Sequence, residues 1–213
     1  MEIEAKLKVA DADTLQRLRS LKHLACFDVL PGRTCEVHDT YLDSPDRRML
    51  AAGLSCRLRR QDDAARITLK GLGGSDGAVH RRAEQEILLP QGTPHAPYAW
   101  PDTALRQQVL HWIGNAPLVA LVDLHQTRTE RTVVRDGLPV AMLSLDHVLV
   151  AASGRRDEYW ELEIELLPTG SEGDLAAMVA ALGRDWELTP QPRSKFERGL
   201  ALPEAWTGKR EQS

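Results

Sequence analysis

Glu2-Ile3-Glu4-Ala5-Lys6-Leu7-Lys8-Val9 alternates without a break, with Ile3, Ala5, Leu7 and Val9 on one face and Glu2, Glu4, Lys6 and Lys8 on the other. Period two over eight residues predicts a β-strand with one dry face. By itself such a strand shows no more than a solvated outer side. The pattern returns near the far end of the chain. Trp160-Glu161-Leu162-Glu163-Ile164-Glu165-Leu166 puts three carboxylates on one face and four apolar residues on the other. Like charges two residues apart repel, so two such acidic strands lose stability unless something positive lies between them. Carboxylate oxygens in that number invite a hard divalent cation such as Mg²⁺ or Mn²⁺.

Strands fill most of the chain between these two. They are expected near 35–43, 54–60, 65–70 and 80–88, then at about 117–134 and 139–150 around the turn Asp136-Gly137, and at 157–167. Asp11 and Asp13 can cap a helix carrying Leu15, Leu18 and Leu21. A short helix is expected between Asp46 and Gly53, another through Leu105, Val109, Trp112 and Ile113 to Gly114, and a third over 172–183. Gly71–Gly77 reads as a flexible loop between two strands rather than a phosphate cradle, because no helix follows to supply oriented amides. Residues 90–101 form a Pro-rich loop, and the chain from 203 onward reads as a frayed tail. With no internal repeat, this order predicts one β-barrel domain over 1–202, built from both halves of the chain.

The bulk properties exclude several classes. Of 213 residues 42% are hydrophobic and 27% charged, and the net charge of −4 offers no global basic footprint for nucleic acid. The first residues lack the layout of a signal peptide, and no apolar run approaches the roughly 18–20 residues of a membrane span. Cys26, Cys35 and Cys56 are odd in number and not in CxxC spacing, so they read as buried or half-buried thiols of a cytoplasmic protein. The seven histidines are scattered and read as surface or structural groups.

Basic strands accompany the acidic ones. Arg57 and Arg59 share a face, as do Arg66, Thr68 and Lys70, and period two groups His80, Arg82, Glu84 and Glu86. Guanidinium forks match phosphate oxygens bidentately, whereas lysine acts as a point charge. Carboxylates for metal beside arginines and lysines for phosphate are what phosphoryl transfer to water requires. Six acids (Glu2, Glu4, Glu84, Asp146, Glu161, Glu163) stand against seven bases (Lys6, Arg57, Arg59, Lys70, Arg82, Arg131, Lys195). With one or two divalent ions, such an interior neutralises a triphosphate of about −4 to −5.

The ordered set resembles the CYTH superfamily of triphosphate tunnel metalloenzymes. Glu2-x-Glu4-x-Lys6 matches its ExExK signature. Tyr41-Leu42-Asp43-Ser44-Pro45-Asp46, Arg57-Leu58-Arg59, Thr68-Leu69-Lys70-Gly71 and His80-x-Arg82-x-Glu84 follow in order. Arg128-x-x-Arg131, Leu145-Asp146, Glu161-Leu162-Glu163 and Ser194-Lys195-Phe196-x-x-Gly199 complete the set. The stretch Asp76–Glu84 most resembles the bacterial inorganic triphosphatases.

The resemblance implies an α+β, mainly β fold: a closed antiparallel eight-stranded barrel forming a tunnel, with helices packed outside. It implies that Glu2, Glu4, Glu161 and Glu163 bind Mg²⁺ or Mn²⁺, with Asp146 and Glu84 assisting. Lys6, Arg57, Arg59, Lys70, Arg131 and Lys195 would grip the phosphates, with Arg82 and His80 more peripheral and Glu165 beyond the tunnel centre. Glu4, Lys6 and Glu163 would act at the reacting phosphorus. Arg128 and Arg131 fall on opposite faces of a regular strand, and Arg131, three before Val134, is the one expected inside.

The implied reaction is metal-dependent hydrolysis of tripolyphosphate, a small-molecule substrate, by a monomer or homodimer without nucleic-acid or membrane partners. The same tunnel could serve a class IV adenylyl cyclase, a thiamine or nucleoside triphosphatase, or a binding module for polyphosphate. The last would have no need of the paired Glu-x-Glu strands.

Overall fold

The computed structural model describes residues 2–72, 75–90 and 92–202, and at 75, 76 and 82 the main chain alone. The tail expected from 203 lies outside the described residues. In chain order the strands are β1 (Glu2–Val9), β2 (His23–Leu24), β3 (Phe27–Val29), β4 (Arg33–Asp43), β5 (Leu54–Gln61), β6 (Ala64–Gly71) and β7 (Ser75–Asp76). There follow β8 (Val79–Arg82), β9 (Glu84–Leu89), β10 (Val119–Arg135), β11 (Leu138–Ala152), β12 (Arg155–Leu166) and β13 (Thr189–Pro190). Helices are α1 (Ala12–Arg19), α2 (Arg48–Ala51), α3 (Ala104–Ile113), α4 (Glu172–Trp186) and α5 (Lys195–Ala201).

The strands form one curled antiparallel sheet, a half-barrel in the order β7-β8-β1-β12-β11-β10-β4-β5-β6-β9. The long hairpins turn on residue pairs that accept positive φ, Asp136-Gly137 between β10 and β11 and Ser153-Gly154 between β11 and β12. The closed eight-stranded ring is not what the hydrogen bonds draw, and the expectation is corrected at one place. The strand expected over 80–88 is interrupted at Ala83. Its first part, β8, pairs with β1 (Glu4 opposite His80), and its second part, β9, pairs with β6 (Lys70 opposite Glu84). The ladder is therefore open between the β7–β8 hairpin and β9, consecutive pieces of chain that form its two ends.

Helices cover the outer surface where the strands are apolar. Leu15 and Leu18 of α1 and Leu175, Met178 and Leu182 of α4 pack on Leu143, Leu145, Leu162 and Ile164. The α3 side chains Leu105, Val109 and Ile113 pack with Leu42, Leu58, Ile67 and Leu69. A third cluster joins Tyr41, Leu124, Val148 and Val150 to Phe196 of α5, whose ring stacks on Tyr41 at 4.5 Å. That seven-residue helix was not expected from the sequence, yet it carries its own start signal, a capping box of Ser194 and Glu197. Gly199 lets it sit close, since a Cβ there would fall 2.3 Å from Val122 Cγ1. Asp43 of the Tyr41–Asp46 motif is structural: its carboxylate accepts from the amides of Ser44, Met49 and Leu50 and starts α2. Of the cysteines only Cys56 is buried; Cys35 is half-buried, and Cys26, in the β2–β3 turn beside Ala25 at positive φ, is exposed, against expectation.

A candidate phosphate and metal site inside the curled sheet

The concave side holds a cavity of about 410 Å³ whose wall is mostly polar. Its side chains meet because antiparallel register sets them opposite one another, where cross-strand partners lie closest. Lys6 stands opposite Glu163, Arg128 opposite Asp146, Arg59 opposite Asp39 and Lys70 opposite Glu84. Each of these four pairs is also an ion pair.

One wall, from β1, β12 and β11 with the N-terminal end of α5 set against it inside the cavity, is acidic. Asp146, Glu161 and Glu163 each bring a carboxylate oxygen within 4.8 Å of the others. The Lys195 ammonium lies among them, 2.9 Å from Asp146, 2.7 Å from Glu161 and 2.8 Å from Glu163. Lys6 bridges Glu163 and Glu4, the latter at 2.9 Å, and Arg128 Nη2 reaches both Asp146 (2.6 Å) and Glu163 (2.7 Å). Burial alone would raise Glu163, but Lys195, Lys6 and Arg128 hold its carboxyl well below the ordinary range. Glu161 has the opposite fate. Burial drives it up to about 7 in spite of Lys195, and its Oε2 is enclosed with no partner.

The other wall, from β4, β5 and β6, is basic. Arg57 and Arg59 line the cavity with Lys70, which is held 2.8 Å from Glu2 and 3.1 Å from Glu84. Burial and then Glu4 push the Glu2 carboxyl up to about 7. Behind the arginines stands Asp39, fully buried, accepting from Arg59 Nε and Nη2 at 2.8 Å each and from Gln126 Nε2 at 2.9 Å.

Most of the expected site converges. Glu2, Glu4, Lys6, Arg57, Arg59, Lys70, Glu84, Glu163 and Lys195 all line the cavity, and so does Glu165, which is not beyond it. Asp146 and Glu161 lie one layer deeper, against Lys195. Arg131 does not belong to the site, and Arg128 takes its place. Arg131 donates to three main-chain carbonyls, those of Leu30, Arg19 and Val29, outside the cavity. Pairing decides the face: β10 is regular from Arg128 to Val133, so the two arginines point to opposite sides, and it is Arg128 that stands opposite Asp146. His80 is buried with Nε2 3.2 Å from the Gln191 carbonyl and does not line the cavity, and the Arg82 side chain lies outside the described residues.

Asp39 and Gln126 were missed. The signal was present, since Asp39 is two residues before inward-facing Tyr41, but no charged neighbour on its own strand marked it. With Asp39 added, six described cations (Lys6, Arg57, Arg59, Lys70, Arg128, Lys195) face nine carboxylates (Glu2, Glu4, Asp39, Glu84, Glu86, Asp146, Glu161, Glu163, Glu165). The interior alone is not a net positive trap.

A charged interior inside a curled antiparallel sheet defines the family: a CYTH domain spans residues 1–200, and the chain belongs to the CYTH family. Among relatives, the inorganic triphosphatase of Haemophilus influenzae is 25% identical over 204 residues, which cover 94% of this chain and 54% of that protein. The chain thus spans about half the length of that relative. A candidate adenylyl cyclase from Hippeastrum, described as revealing a dominant triphosphatase activity, superposes with a TM-score of 0.73 at 19% identity, covering 93% of this chain and 95% of its own. A candidate adenylate cyclase from Bacillus halodurans gives 0.63 at 20% identity, over 93% and 96%. Both share the fold. No helix among the described residues is long and apolar enough to cross a membrane.

Proposed function

We propose that the protein hydrolyses inorganic triphosphate to pyrophosphate and phosphate with the help of a divalent cation, Mg²⁺ or Mn²⁺, the curled sheet wrapping the substrate as a tunnel. The observation that carries this reading is the opposition of the two walls, acids in cross-strand register on one side and arginines on the other, across a mostly polar cavity. Its aromatic lining, Tyr41 and Phe196, is spent on a mutual stack. The name of the Haemophilus relative points the same way.

The donors fit a hard cation. They are all carboxylate oxygens, three converge within 4.8 Å, and one buried oxygen of Glu161 has no partner. Glu161, Glu163 and Asp146 would hold one ion, with Glu2, Glu4 and Glu84 available at the cavity surface. A bound divalent ion supplies positive charge to phosphate oxygens and lowers the pKa of coordinated water. The chain does the rest. Arg57, Arg59, Lys70 and Arg128 bind the phosphoryl oxygens and stabilise charge on the leaving group. Glu4 and Glu163, bridged by Lys6 Nζ, orient the attacking water. Its oxygen bonds to the terminal phosphorus as the bridging P–O bond breaks, and pyrophosphate leaves with the electron pair. Glu2, which lines the same cavity and whose carboxyl is pushed up by burial and by Glu4, would accept the water's proton.

The test is phosphate release from tripolyphosphate with Mg²⁺ and with Mn²⁺, with ATP and thiamine triphosphate in parallel, for wild type and Glu4→Ala. Metal-dependent release from tripolyphosphate, lost by about a hundredfold or more in the variant, is expected. Tight tripolyphosphate binding without release from any of the three would move the protein to the binding modules. Cyclic AMP plus pyrophosphate from ATP would make it a cyclase.

A further inference from the structure

A carboxylate behind an anion site is a puzzle, because its charge opposes the ligand. Asp39 is fully buried, does not line the cavity, and sits directly behind the two arginines that do. It takes one whole edge of the Arg59 fork, Nε and Nη2 at 2.8 Å each, and lies 3.7 Å from Arg57 Nη1. Gln126 Nε2 fixes the second carboxylate oxygen at 2.9 Å. Arg57 is secured on its other side by Thr68, through Nη2 to Oγ1 at 3.3 Å, and its Nε is enclosed without a partner. Two flexible guanidiniums are thereby held in fixed planes, each with donors to spare. What the site forfeits in attraction it gains in order, since a held fork gives up less freedom when it meets its ligand.

We propose that Asp39 is a positioning residue. Without touching substrate, it fixes the spacing of Arg57 and Arg59 so that they meet neighbouring phosphoryl groups of one chain-like anion. Its part in turnover rests on the triphosphatase reading, and the clamp itself does not. Asp39→Asn keeps the shape and removes the charge, so attraction and order should move in opposite directions. Imidotriphosphate, a non-hydrolysable analogue, should bind the variant about threefold or more tightly in Mg²⁺ by calorimetry. Turnover of tripolyphosphate should fall about ten- to hundredfold. A merely structural role would weaken both together or neither, and either of those results would overturn the proposal.

Arg59→Lys, which keeps the charge but loses the fork, supplies a second variant should Asp39→Asn fail to fold. It should bind the analogue within about threefold of wild type while turnover drops about tenfold. The clamp is read without substrate from the Arg59 Nε–H resonance in nitrogen-15 spectra. The signal should be slow to exchange in wild type and lost in Asp39→Asn. If wild type neither binds nor cleaves triphosphate, the functional reading fails; an unprotected Arg59 Nε–H in wild type sinks the clamp independently.

Discussion

The two walls of the cavity solve the same problem, buried like charge, in opposite ways. On the acidic wall Asp146, Glu161 and Glu163 surround a single ammonium, Lys195, with Lys6 and Arg128 sealing the flanks. On the basic wall two guanidiniums share a single carboxylate, Asp39, and keep unused donors. An ammonium is a point charge on a flexible stem and can be exchanged for another cation in the same place. A guanidinium held along one edge cannot move, but it can bind with the other. The acidic wall is therefore built to trade its counter-ion and the basic wall to stand still.

The sharpest way to break that contrast is to remove the exchangeable cation. Lys195→Met leaves three carboxylates around an apolar side chain and is expected to cost about 3–5 kcal/mol in thermal or denaturant unfolding. Mg²⁺ or Mn²⁺ should then raise the Tm of the variant more than that of wild type. Equal shifts would mean that lysine and metal do not share the cage.

A smaller effect is expected on the standing wall. Arg57→Ala removes charge-assisted bonds worth about 1.5–3 kcal/mol, so kcat/KM for tripolyphosphate should fall about ten- to hundredfold. Tm should change by no more than a few degrees, because Asp39, 3.7 Å from Arg57, keeps its closer bonds from Arg59 and Gln126. A loss of stability matching that of Lys195→Met would erase the distinction.

The smallest signal is the pH slope. Glu2 and Glu161 titrate near 7 in the fold and near 4.5 when free, so between these values the folded chain holds more protons than the unfolded one. Their contribution to stability is complete below about 4.5 and is lost as pH rises through 7. Asp39, Asp146 and Glu163 are depressed, and theirs is lost as pH falls below the ordinary carboxylate range. In chelator, Glu161→Gln should flatten the fall of Tm between pH 5 and 7.5 by about 2–5 °C, a size set by the usual scaling of Tm with stability. An unchanged slope would show that Glu161 is not held protonated.

Much of this was legible because a strand writes its faces at period two. The Glu2–Val9 and Trp160–Leu166 alternations gave the acidic wall, and Arg57, Arg59 and Lys70 gave the basic one, before any pairing was known. Features that depend on pairing were not legible. Arg128 and Arg131 differ by three residues and take opposite faces, and only the pairing of Arg128 with Asp146 shows which face turns inward. The break at Ala83 is invisible in an alternation that runs from His80 to Glu86, since it changes the partner strand and leaves the residue pattern intact. Asp39 announces nothing on β4, and its role comes wholly from standing opposite Arg59 on β5.

The position of β1 bears on how the molecule is made. Its partners on one side lie in 79–82 and 189–190 and on the other in 160–165, so Glu2–Val9 is synthesised well before β12 and can be housed only when β12 has followed. At about 5–20 residues per second that interval is roughly ten to thirty seconds. A bare strand edge exposed so long is an aggregation hazard, and charged side chains are the usual guard against it. Glu2, Glu4, Lys6 and Lys8 thus protect the newborn chain, and the first three are charges that the finished cavity turns inward.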